Sequence, residues 1–404
     1  MGPLSGLRII DMTSVLMGPY ATQTLGDFGA DVIKIESPDG DLVRQIGPAR
    51  HPGMGPMYLN VNRSKRSVTI DLKQEKGRDA LLKLCEGADV LVYNIRAKAM
   101  ARLGLSYEAV KSINPKIIYA GLFGYGQNGP YCDKPAYDDL IQGGATLPHL
   151  FAKVNNGEPR YVPAAIADRV VGLTAVGAIL ASVLEAQKSG VGQRVDIPMF
   201  ETMVGFILGD HLGGLTYDPP LDHGGYVRQL SPSRRPYRTR DGYVCALIYN
   251  DGHWHRFLRE LGQEDLMEKD ERFSTFPARM ANINFVNDTL AEIFLERTAA
   301  EWLELLESAD CPAMPMHDFD SVLEDPHLTA VDFFHMTDHP TEGRIRSMRH
   351  PVVWSRTPAE PDRLAPNQGE HTVDILLEAG FDSQEIEQLI GDGVVGSGDG
   401  QTAA

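Results

Sequence analysis

The sequence predicts an α/β fold, in which a doubly wound parallel sheet is followed by a smaller second domain. Short apolar segments typical of buried strands alternate with helical segments through residues 7–123, as in consecutive βαβ units. The composition changes near residue 213, where glycine, proline and aspartate become frequent. A chain of 404 residues is also longer than one hydrophobic core usually supports, so two domains are expected.

The elements of the first part follow from their apolar patterns. We predict strands at residues 7–12, 31–36, 67–72, 88–94 and 116–123, and helices at residues 19–29, 77–85, 97–103 and 106–113. An apolar helix begins at Asp168, and a strand at residues 194–197 and a helix at residues 200–211 follow it. Because strand, helix and strand alternate from residue 7 onward, we expect a Rossmann-like parallel sheet.

The later part of the chain is predicted to hold the smaller domain. Residues 213–235 form a linker and residues 236–329 a small α+β domain, while residues 1–212 and 330–395 form the large domain. Within the small domain we predict a hairpin at 237–248 with a type I′ turn at Asp241-Gly242, then helices at 253–261, 282–297 and 299–308. Farther on we expect a strand at 351–354, a helix at 372–379 and a disordered tail at 396–404.

The charge balance argues against several classes of function. The formal net charge of −17 disfavours sequence-independent nucleic-acid binding and docking on an anionic membrane. The four cysteines are scattered without a metal-ligand spacing, so neither a metal site nor a disulfide framework is predicted. The N-terminus lacks a signal-peptide pattern and no apolar stretch reaches about 20 residues, so we expect a soluble cytoplasmic protein.

Asp168 is the most informative single residue, because it stands alone at the mouth of a long apolar helix. Taken by itself, it is best explained as an N-cap that accepts hydrogen bonds from the first-turn amides. A carboxylate at a helix N-terminus is also favoured in its ionised form, which is the form that attacks an electrophile. The structural and the chemical interpretations are therefore compatible.

The segment GYGQNG at residues 124–129 matches the G-x-G-x-x-G pattern of dinucleotide-binding loops. That fingerprint has to open a helix and be followed about 20 residues later by an acidic residue at a strand end. Here PYCDKP follows at once and interrupts any helix. We therefore predict a turn or a ligand-lining loop, and no nicotinamide or flavin site.

A set of short segments occurs in order along nearly the whole chain. They are LSGLRIIDMT from residue 4, GPYA from 18, LGDFGADVIKIE from 25, NRSKRSVTIDLK from 62, GYGQNGPY from 124, GQRVD from 192, DPH from 325 and GEHT from 369. Together they resemble the CaiB/BaiF family, the class III coenzyme A-transferases, over residues 4–395. The resemblance implies a large domain built from both termini, a small central domain and an interlocked homodimer. It also implies coenzyme A and small carboxylic acids as substrates, with no prosthetic group.

The resemblance implies a set of site residues. Asp168 stands at the position of the catalytic aspartate, and residues 249–253 resemble a loop over the substrate, with Asn250 and Asp251 in it and Gly252 as its hinge. Ser37 replaces an arginine that binds the nucleotide in some members. The residues implied for coenzyme A are Val15, Leu16, Ile70, Lys73, Asn94, Ile95, Arg102, Leu103, Tyr137 and Met199. Without the resemblance, the charged ones would be assigned to the surface and the apolar ones to the core.

The family contains both acyl transferases and 2-methylacyl-CoA epimerases. The epimerases have a Gly-His-Asp triplet shortly after the glycine loop, and Tyr137 takes the place of its histidine here. A phenol with its ordinary pKa of ~10 is a poor partner for moving a proton at neutral pH. We therefore expect CoA transfer through an aspartyl anhydride and an aspartyl-CoA thioester, with oxyanions held by amides of residues 169–172 or of a glycine loop.

Two alternatives and one specificity question remain. The alternatives are an epimerase and a non-catalytic protein that binds acyl-CoA. The arginines at positions 234, 235, 238 and 240 form the densest basic cluster. They either lie on a solvated hairpin or bind a second carboxylate of a dicarboxylyl substrate such as succinyl-CoA.

Overall fold

Six parallel strands form the main sheet of the computed structural model, which describes residues 2–358 and 363–397. The strands are β1 Arg8–Met12, β2 Asp31–Glu36, β3 Lys65–Thr69, β4 Val90–Tyr93, β5 Ile118–Phe123 and β6 Arg194–Pro198. Their order across the sheet is β3-β2-β1-β4-β5-β6, and every neighbouring pair is parallel. The predicted α/β fold with a Rossmann-like sheet is confirmed.

Helices connect and flank these strands. They are α1 Met17–Asp27, α2 Pro56–Leu59, α3 Glu75–Glu86, α4 Ala97–Arg102, α5 Tyr107–Ile113, α6 Asp138–Gly144, α7 Leu147–Val154, α8 Ile166–Ser189 and α9 Met199–His211, with a 3₁₀ helix at Leu42–Gln45. Every residue of β3, β4 and β5 is buried. Burial on both faces explains why β4 and β5 are apolar without the alternation seen in one-sided sheets.

Helix α8 packs closely on α1. A Cβ atom on Gly172 would lie 2.8 Å from the backbone oxygen of Met17, so only glycine fits at this crossing. Among the described residues α8 alone is long and apolar enough to cross a membrane, with a mean hydropathy of 1.7 and 39% of that window buried. This differs from the prediction that no segment has that length and composition, because uncharged small residues extend the apolar run.

The described contacts divide the chain into two units. The first takes Met1–Ala145, Val162–Gly205 and Thr329–Ala404, and the second takes Thr146–Tyr161 and Phe206–Leu328. The predicted ranges differ from this division, since residues 146–161 and 206–212 fall in the second unit. Packing sets the observed boundaries, whereas the predicted ones followed a change in composition.

The second unit has its own small sheet and core. Its strands are β7 Tyr237–Arg238, β8 Tyr243–Ala246 and β9 Ala313–Pro315, and both pairings are antiparallel. Its core contains Trp254, Phe257, Phe294 and Trp302. The helices up to residue 330 are α10 Asp251–Glu260, α11 Leu266–Lys269, α12 Phe276–Ala281, α13 Ile283–Phe294, α14 Ala299–Ser308 and α15 Pro326–Ala330, with 3₁₀ helices at Gly213–Thr216 and Ser321–Glu324.

The predicted hairpin is present, but its predicted turn type is wrong. Tyr237 pairs with Val244, and the amide of Thr239 donates to the carbonyl of Gly242. A type I′ turn needs positive φ at both central residues, and neither Asp241 nor Gly242 has it. The Asp241 carboxylate instead accepts hydrogen bonds from the Thr239 hydroxyl and from the amide of Ala299, which fixes the turn.

The C-terminal part adds a hairpin and two helices to the first unit. They are β10 Phe334–His339, β11 Gly343–Met348, α16 Thr372–Glu378 and α17 Ser383–Gly391. The predicted strand at 351–354 is wrong, because these residues form no strand. The Trp354 ring packs on the Phe28 ring instead, with 4.8 Å between the ring centres. The predicted disordered tail falls mostly on residues 398–404, which lie outside the described residues. Gly396, at its start, donates its amide to the Thr69 carbonyl.

Candidate active site

The order of the strands creates a crevice at the carboxyl ends of β1 and β4, where chain connections leave in opposite directions. In open parallel sheets ligands bind at such a switch point. The two loops are tied together there, since the Ser14 amide donates to Asn94 Oδ1 at 3.1 Å and Asn94 Nδ2 donates to the Ser14 carbonyl at 2.8 Å. Val15 between them has a φ of 70°, which is strained for a β-branched residue.

Buried charges hold the loop after β1 in this strained shape. Asp41 accepts a hydrogen bond from the Val15 amide at 3.1 Å and forms an ion pair with Lys34 at 2.9 Å. Lys34 Nζ also donates to the Thr13 carbonyl at 2.9 Å. Because Lys34 and Asp41 are almost fully buried, the loop conformation is fixed before any ligand arrives.

The N-terminus of α1 opens toward the same crevice. Its N-cap position, Leu16, has no side-chain hydrogen bond, and within residues 2–358 and 363–397 the amides of Met17 and Gly18 have no partner. A Cβ on Gly18 would lie 2.3 Å from Thr13 Cβ, so glycine is needed for this tight entry into the helix. Free amides and the helix dipole together favour an anion at this point.

Asp168 lies in the first turn of α8, but it is not the N-cap that the sequence suggested. The helix begins at Ile166 after Ala165, and Ala165 makes no side-chain cap. In the part of the chain that the structure describes, the half-buried carboxylate of Asp168 accepts no hydrogen bond. The capping explanation is wrong because the helix starts two residues earlier than predicted, which leaves this carboxylate free.

A second carboxylate lies beside Asp168. Asp138, at the start of α6, accepts a hydrogen bond from the Asp168 amide at 2.9 Å and another from Gln142 Nε2 at 2.6 Å. Gln142 Oε1 in turn accepts from the Val162 amide at 2.9 Å, which attaches α6 to the segment before α8. The position of Asp168 is thus set by hydrogen bonds to its backbone, not to its carboxylate.

The electrostatic surroundings change the acidity of Asp168. Burial raises its pKa, the charge of Asp138 raises it further and Arg169 lowers it, with a resulting pKa of about 6. Arg169 itself lies over the ring of Tyr20 at 4.3 Å, so α1 fixes the nearest positive charge. At neutral pH most Asp168 is therefore ionised and more basic than an ordinary aspartate, which suits a nucleophile.

The predicted oxyanion donors at residues 169–172 are not available. The amide of Arg169 donates to the Ala165 carbonyl, and the following amides belong to the regular hydrogen bonds of α8. In the glycine loop, the amide of Gly126 is taken by Glu201 Oε1 at 2.9 Å. The next helix after this loop begins only at Asp138, so the G-x-G-x-x-G segment does not open a helix. The amides of Met17 and Gly18 at the start of α1 remain without a partner among the described residues.

The structure brings some of the residues predicted for coenzyme A together. Val15, Leu16, Asn94 and Ile95 all follow β1 or β4 and lie at the switch point. The two pairs are far apart in the sequence, and the order of the strands brings them together. These four positions therefore form a continuous part of the crevice wall.

The remaining predicted coenzyme residues differ in exposure. Ile70 is fully buried and Met199 is 3% exposed, so their side chains belong to the core. Leu103 packs against the same core as Ile70. Lys73, Arg102 and Tyr137 are exposed, and Tyr137 is 69% exposed at the residue before α6. The exposed three remain predictions for contacts with a ligand.

The predicted substrate loop of the second unit is the start of a helix. Asn250 caps α10 by accepting a hydrogen bond from the His253 amide at 2.8 Å, and Asp251 forms an ion pair with Arg279. Gly252 lies in the first turn and has no positive φ, so the structure gives it no hinge geometry. The polar pattern that suggested a loop is a helix N-terminus.

Sequence reasoning missed Asp138, Gln142 and Asp41. The pair Asp138-Asp139 directly after Tyr137 was a signal for a helix start, because acidic residues favour the first turn. Asp41 had no signal, since its role depends on the hydrogen bonds that it accepts from Lys34 on β2 and from the amide of Val15 after β1. Within the described ranges, no group of three or more His, Cys, Asp or Glu side chains is placed to hold a metal ion.

Comparison with known proteins agrees with this architecture. The family model "CoA-transferase family III" matches residues 4–372. The succinate–glutarate CoA-transferase of Agrobacterium fabrum is 33% identical over 384 residues, covering 93% of this chain and 95% of that protein. The human succinyl-CoA:glutarate CoA-transferase is 31% identical over 395 residues, covering 97% of this chain and 90% of that protein.

A solved structure extends the agreement to three dimensions. The CaiB/BaiF family protein from Brucella suis superimposes with a TM-score of 0.79 at 32% identity, covering 94% of this chain and 99% of that one. Sequence and fold therefore match over nearly the full length. The chain belongs to CoA-transferase family III, the CaiB/BaiF family, and is an enzyme of the CoA-transferase class.

Proposed function

We propose that this enzyme moves coenzyme A from a dicarboxylyl-CoA such as succinyl-CoA to a carboxylic acid, with Asp168 as nucleophile. The observation that carries the proposal is the free, half-buried carboxylate of Asp168 with its raised pKa of about 6. It lies one helical turn before the crossing of α8 with the N-terminus of α1. The similarity to two transferases named for succinate and glutarate supports the choice of acid.

The exchange runs in four balanced steps. An Asp168 oxygen attacks the thioester carbonyl of the donor and expels coenzyme A thiolate, leaving a mixed anhydride. The thiolate attacks the aspartyl carbonyl, which forms an aspartyl-CoA thioester and releases the donor acid. The acceptor carboxylate attacks this thioester and expels the thiolate again. The thiolate then takes the acceptor acyl group, and Asp168 is regenerated.

The residues around Asp168 have separate tasks in this scheme. Each tetrahedral intermediate carries an oxyanion, and we assign its stabilisation to the free amides of Met17 and Gly18 at the start of α1. Asp138 holds the Asp168 backbone and raises the basicity of the nucleophile. The loops at Val15 and Asn94 form the wall against which coenzyme A lies.

The epimerase alternative requires a group that removes an α-proton. Tyr137, in the place of the epimerase histidine, is 69% exposed, and phenols ordinarily have a pKa of ~10. In a non-catalytic acyl-CoA-binding protein, the free Asp168 carboxylate with its raised pKa would have no function. Transfer therefore explains more of the site than either alternative.

We also propose a homodimer. On α8 the exposed face carries Leu173, Gly177, Ala181 and Leu184, and Leu173 and Leu184 are 52% and 58% exposed in the single chain. A continuous apolar face of this kind marks a protein interface in a water-soluble enzyme. Cytoplasmic localisation stays a prediction.

The direct test is to trap the covalent intermediates. The enzyme is mixed with succinyl-CoA and glutarate and then treated with hydroxylamine or borohydride, and peptides are analysed by mass spectrometry. We expect a CoA adduct, a hydroxamate or an alcohol on Asp168, and none in Asp168→Asn. Absence of any adduct, together with solvent deuterium entering the α-carbon of a branched acyl-CoA, would replace transfer by epimerisation. Equal CoA binding by both proteins with no reaction would favour the non-catalytic alternative.

A further inference from the structure

The second unit contains a cavity of about 330 Å³ to which the scheme above assigns no role. Its walls come from residues 228–237, from β8 and the segment after it, and from helices α10, α12 and α13. This volume is at the lower end of the range for small-molecule sites, roughly 300–1,000 Å³. The cavity therefore suits a ligand much smaller than coenzyme A.

Four arginines line this cavity, namely Arg228, Arg234, Arg235 and Arg279, and none of its described lining residues is acidic. The chain as a whole has a net charge of −17, so this is a local reversal of charge. In the described part of the chain, the side chains of Arg228, Arg234 and Arg235 form no hydrogen bond and no ion pair, although the backbone amide of Arg234 donates to the Ser231 carbonyl. Their guanidinium groups are free to bind an anion bidentately.

Two of the four arginine side chains, those of Arg228 and Arg279, lie against aromatic rings. The guanidinium of Arg228 lies 5.2 Å from the centre of the Tyr249 ring, and that of Arg279 lies 5.7 Å from the Trp254 ring. Arg279 is 1% exposed and paired with Asp251, yet its Nε–H has no partner among the described residues. Buried donors without partners are rare in folded proteins and call for an explanation.

Most of the remaining lining is apolar, and a hydrogen bond joins it to the segment that carries Arg234 and Arg235. Leu247, Ile283, Val286 and Leu290 supply aliphatic surface along one side. Asn287, between them on α13, donates from Nδ2 to the Ser231 hydroxyl at 3.4 Å, which ties the segment before Arg234 to this helix. A ligand that fits here has an anionic end or ends and an aliphatic body.

The structure also divides the basic cluster seen in the sequence. Arg234 and Arg235 line the cavity, whereas Arg238 and Arg240 do not. Arg240 instead donates to the backbone carbonyl of Glu296. Only half of the cluster therefore belongs to an anion site.

We propose that this cavity binds a short aliphatic dicarboxylate. This choice of ligand class rests on the proposed function. Three unpaired guanidinium groups exceed what one carboxylate neutralises, so an acid with two carboxylates is bound better than its monocarboxylate analogue. The methylene chain lies against the aliphatic side of the cavity, where its transfer from water is favourable.

Calorimetric titration of the full chain with glutarate, without coenzyme A, tests the proposal. Arg234→Gln/Arg235→Gln should weaken glutarate binding at least about tenfold, because two charge-assisted contacts are lost. Arg238→Gln/Arg259→Gln, an equal change of charge at exposed residues outside the cavity, should leave it within about twofold. Pentanoate, with the same chain and one carboxylate, should bind at least about tenfold more weakly than glutarate.

Several results would overturn the assignment. Equal weakening by both double variants would show a general effect of charge, and equal binding of pentanoate would remove the dicarboxylate preference. Displacement of glutarate by adenosine 3′,5′-bisphosphate would make the cavity a nucleotide site. Absence of glutarate binding to the wild type would also end the proposal.

The cavity assignment and the proposed transfer reaction can be tested independently of each other. If Asp168→Asn binds glutarate like the wild type and no covalent intermediate forms in the wild type, transfer is wrong while the cavity assignment stands. If intermediates form but the Arg234→Gln/Arg235→Gln variant binds glutarate as tightly as the wild type, transfer stands and the cavity assignment is wrong. Circular dichroism of each variant confirms that it is folded.

Discussion

At the scale of single residues, Asp168 shows a conflict between reactivity and stability. Its pKa of about 6 in the folded protein lies above the ordinary value of 3.8, mainly because of burial. The folded state therefore binds this proton more tightly than the unfolded state. Between about pH 4 and pH 6 the free energy of unfolding falls as the pH rises. Above about pH 6 the ionised carboxylate destabilises the fold by its full amount.

Replacing Asp168 by Asn should remove this destabilisation together with the proposed nucleophile. At pH 7.5 we expect Asp168→Asn to be more stable than the wild type by about 1–2 kcal/mol, after allowing for partial exposure. At pH 5 the advantage should be smaller, and transfer should be lost at both values. Thermal unfolding at the two pH values, compared with a transfer assay, checks this. An advantage that does not change with pH would mean that Asp168 is not the group that titrates.

At the same scale, the charge of the neighbouring Asp138 raises the pKa of Asp168, the proposed nucleophile. In Asp138→Asn the like charge is gone, so the pKa of Asp168 falls and the acid limb of kcat/KM should move to lower pH. Some stability should be lost as well, because an amide group would oppose the donor Gln142 Nε2. Asp139→Asn, exposed on the same helical turn, should leave the pH profile unchanged. If both variants keep the wild-type acid limb, the coupling of the two carboxylates is wrong.

The site residues differ in how far the sequence could predict them. The family-like segments on both sides of Asp168 made it a candidate site residue, and its catalytic role stays a prediction, whereas the capping role predicted for it was wrong. Asp138 could have been found as a helix-start residue next to Tyr137. The roles of Asp41 and of the free amides at Gly18 depend on contacts between distant segments. No local pattern encodes those contacts, so only the folded chain reveals them.

At the scale of elements, the crossing of α1 and α8 connects the proposed oxyanion donors with the proposed nucleophile. In Gly172→Ala the new Cβ would lie 2.8 Å from the Met17 carbonyl oxygen, so the helices have to separate. We expect a loss of about 1–3 kcal/mol of stability and a lower kcat. Gly391→Ala, in a helix with open space around that glycine, should be neutral or slightly stabilising. Chemical denaturation and steady-state kinetics of the two variants check this, and a wild-type kcat in Gly172→Ala would contradict the link to catalysis.

The buried ion pairs beneath the site join three strands. Asp11 on β1 accepts hydrogen bonds from Lys65 Nζ at 3.0 Å and from the hydroxyl of Thr22 at 2.7 Å, and it is fully buried. Burial alone would raise the pKa of Asp11, but the charges of Lys65 and Lys34 outweigh it and lower the pKa to about 2. Asp11 therefore stabilises the fold above about pH 4, and this contribution is lost as the pH falls toward 2.

Asp11→Asn should consequently be strongly destabilising. Removing one partner leaves the ammonium group of Lys65 buried without its carboxylate, which costs about 3–5 kcal/mol. The exposed pair of Lys76 with Asp392 provides the control, and Asp392→Asn should cost less than about 1 kcal/mol. Urea denaturation at pH 7 measures both. Similar costs for the two variants would mean that the buried network contributes no more than a surface pair.

The strands show why some elements were easier to predict than others. The segment at residues 31–36 was predicted with its observed bounds, because Val32, Ile33 and Ile35 indicate a buried strand between Gly29 and the turn at Ser37-Pro38. The hairpin of β10 and β11 was missed, since half-exposed strands with His, Asp and Arg lack that pattern. Residues 351–354 have an apolar pattern, yet they form no strand. The Trp354 ring packs on Phe28 instead.

At the scale of the whole molecule, distant parts of the chain meet on β3. The amide of His371 donates to the Ser67 carbonyl, and the amide of Asp71 donates to the Val394 carbonyl. The two segments are about three hundred residues apart, and family-like motifs in both had suggested that they belong together. The family resemblance therefore predicted that these distant segments belong to one domain. Secondary-structure propensity, which depends on neighbouring residues, cannot predict this.

The exposed apolar face of α8 predicts that two copies of the chain form a dimer. Leu173 and Leu184 lie eleven residues apart, which is about three helical turns, so they share one face with Gly177 and Ala181 between them. We expect the wild type to sediment as a dimer and Leu173→Glu/Leu184→Glu as a monomer, because two buried charges at the interface would be unpaired. Leu221→Glu, at a residue 73% exposed in the second unit, should leave the dimer intact. Analytical ultracentrifugation of the three proteins decides: a monomeric wild type would contradict the dimer, and a dimeric double variant would place its interface elsewhere than on α8.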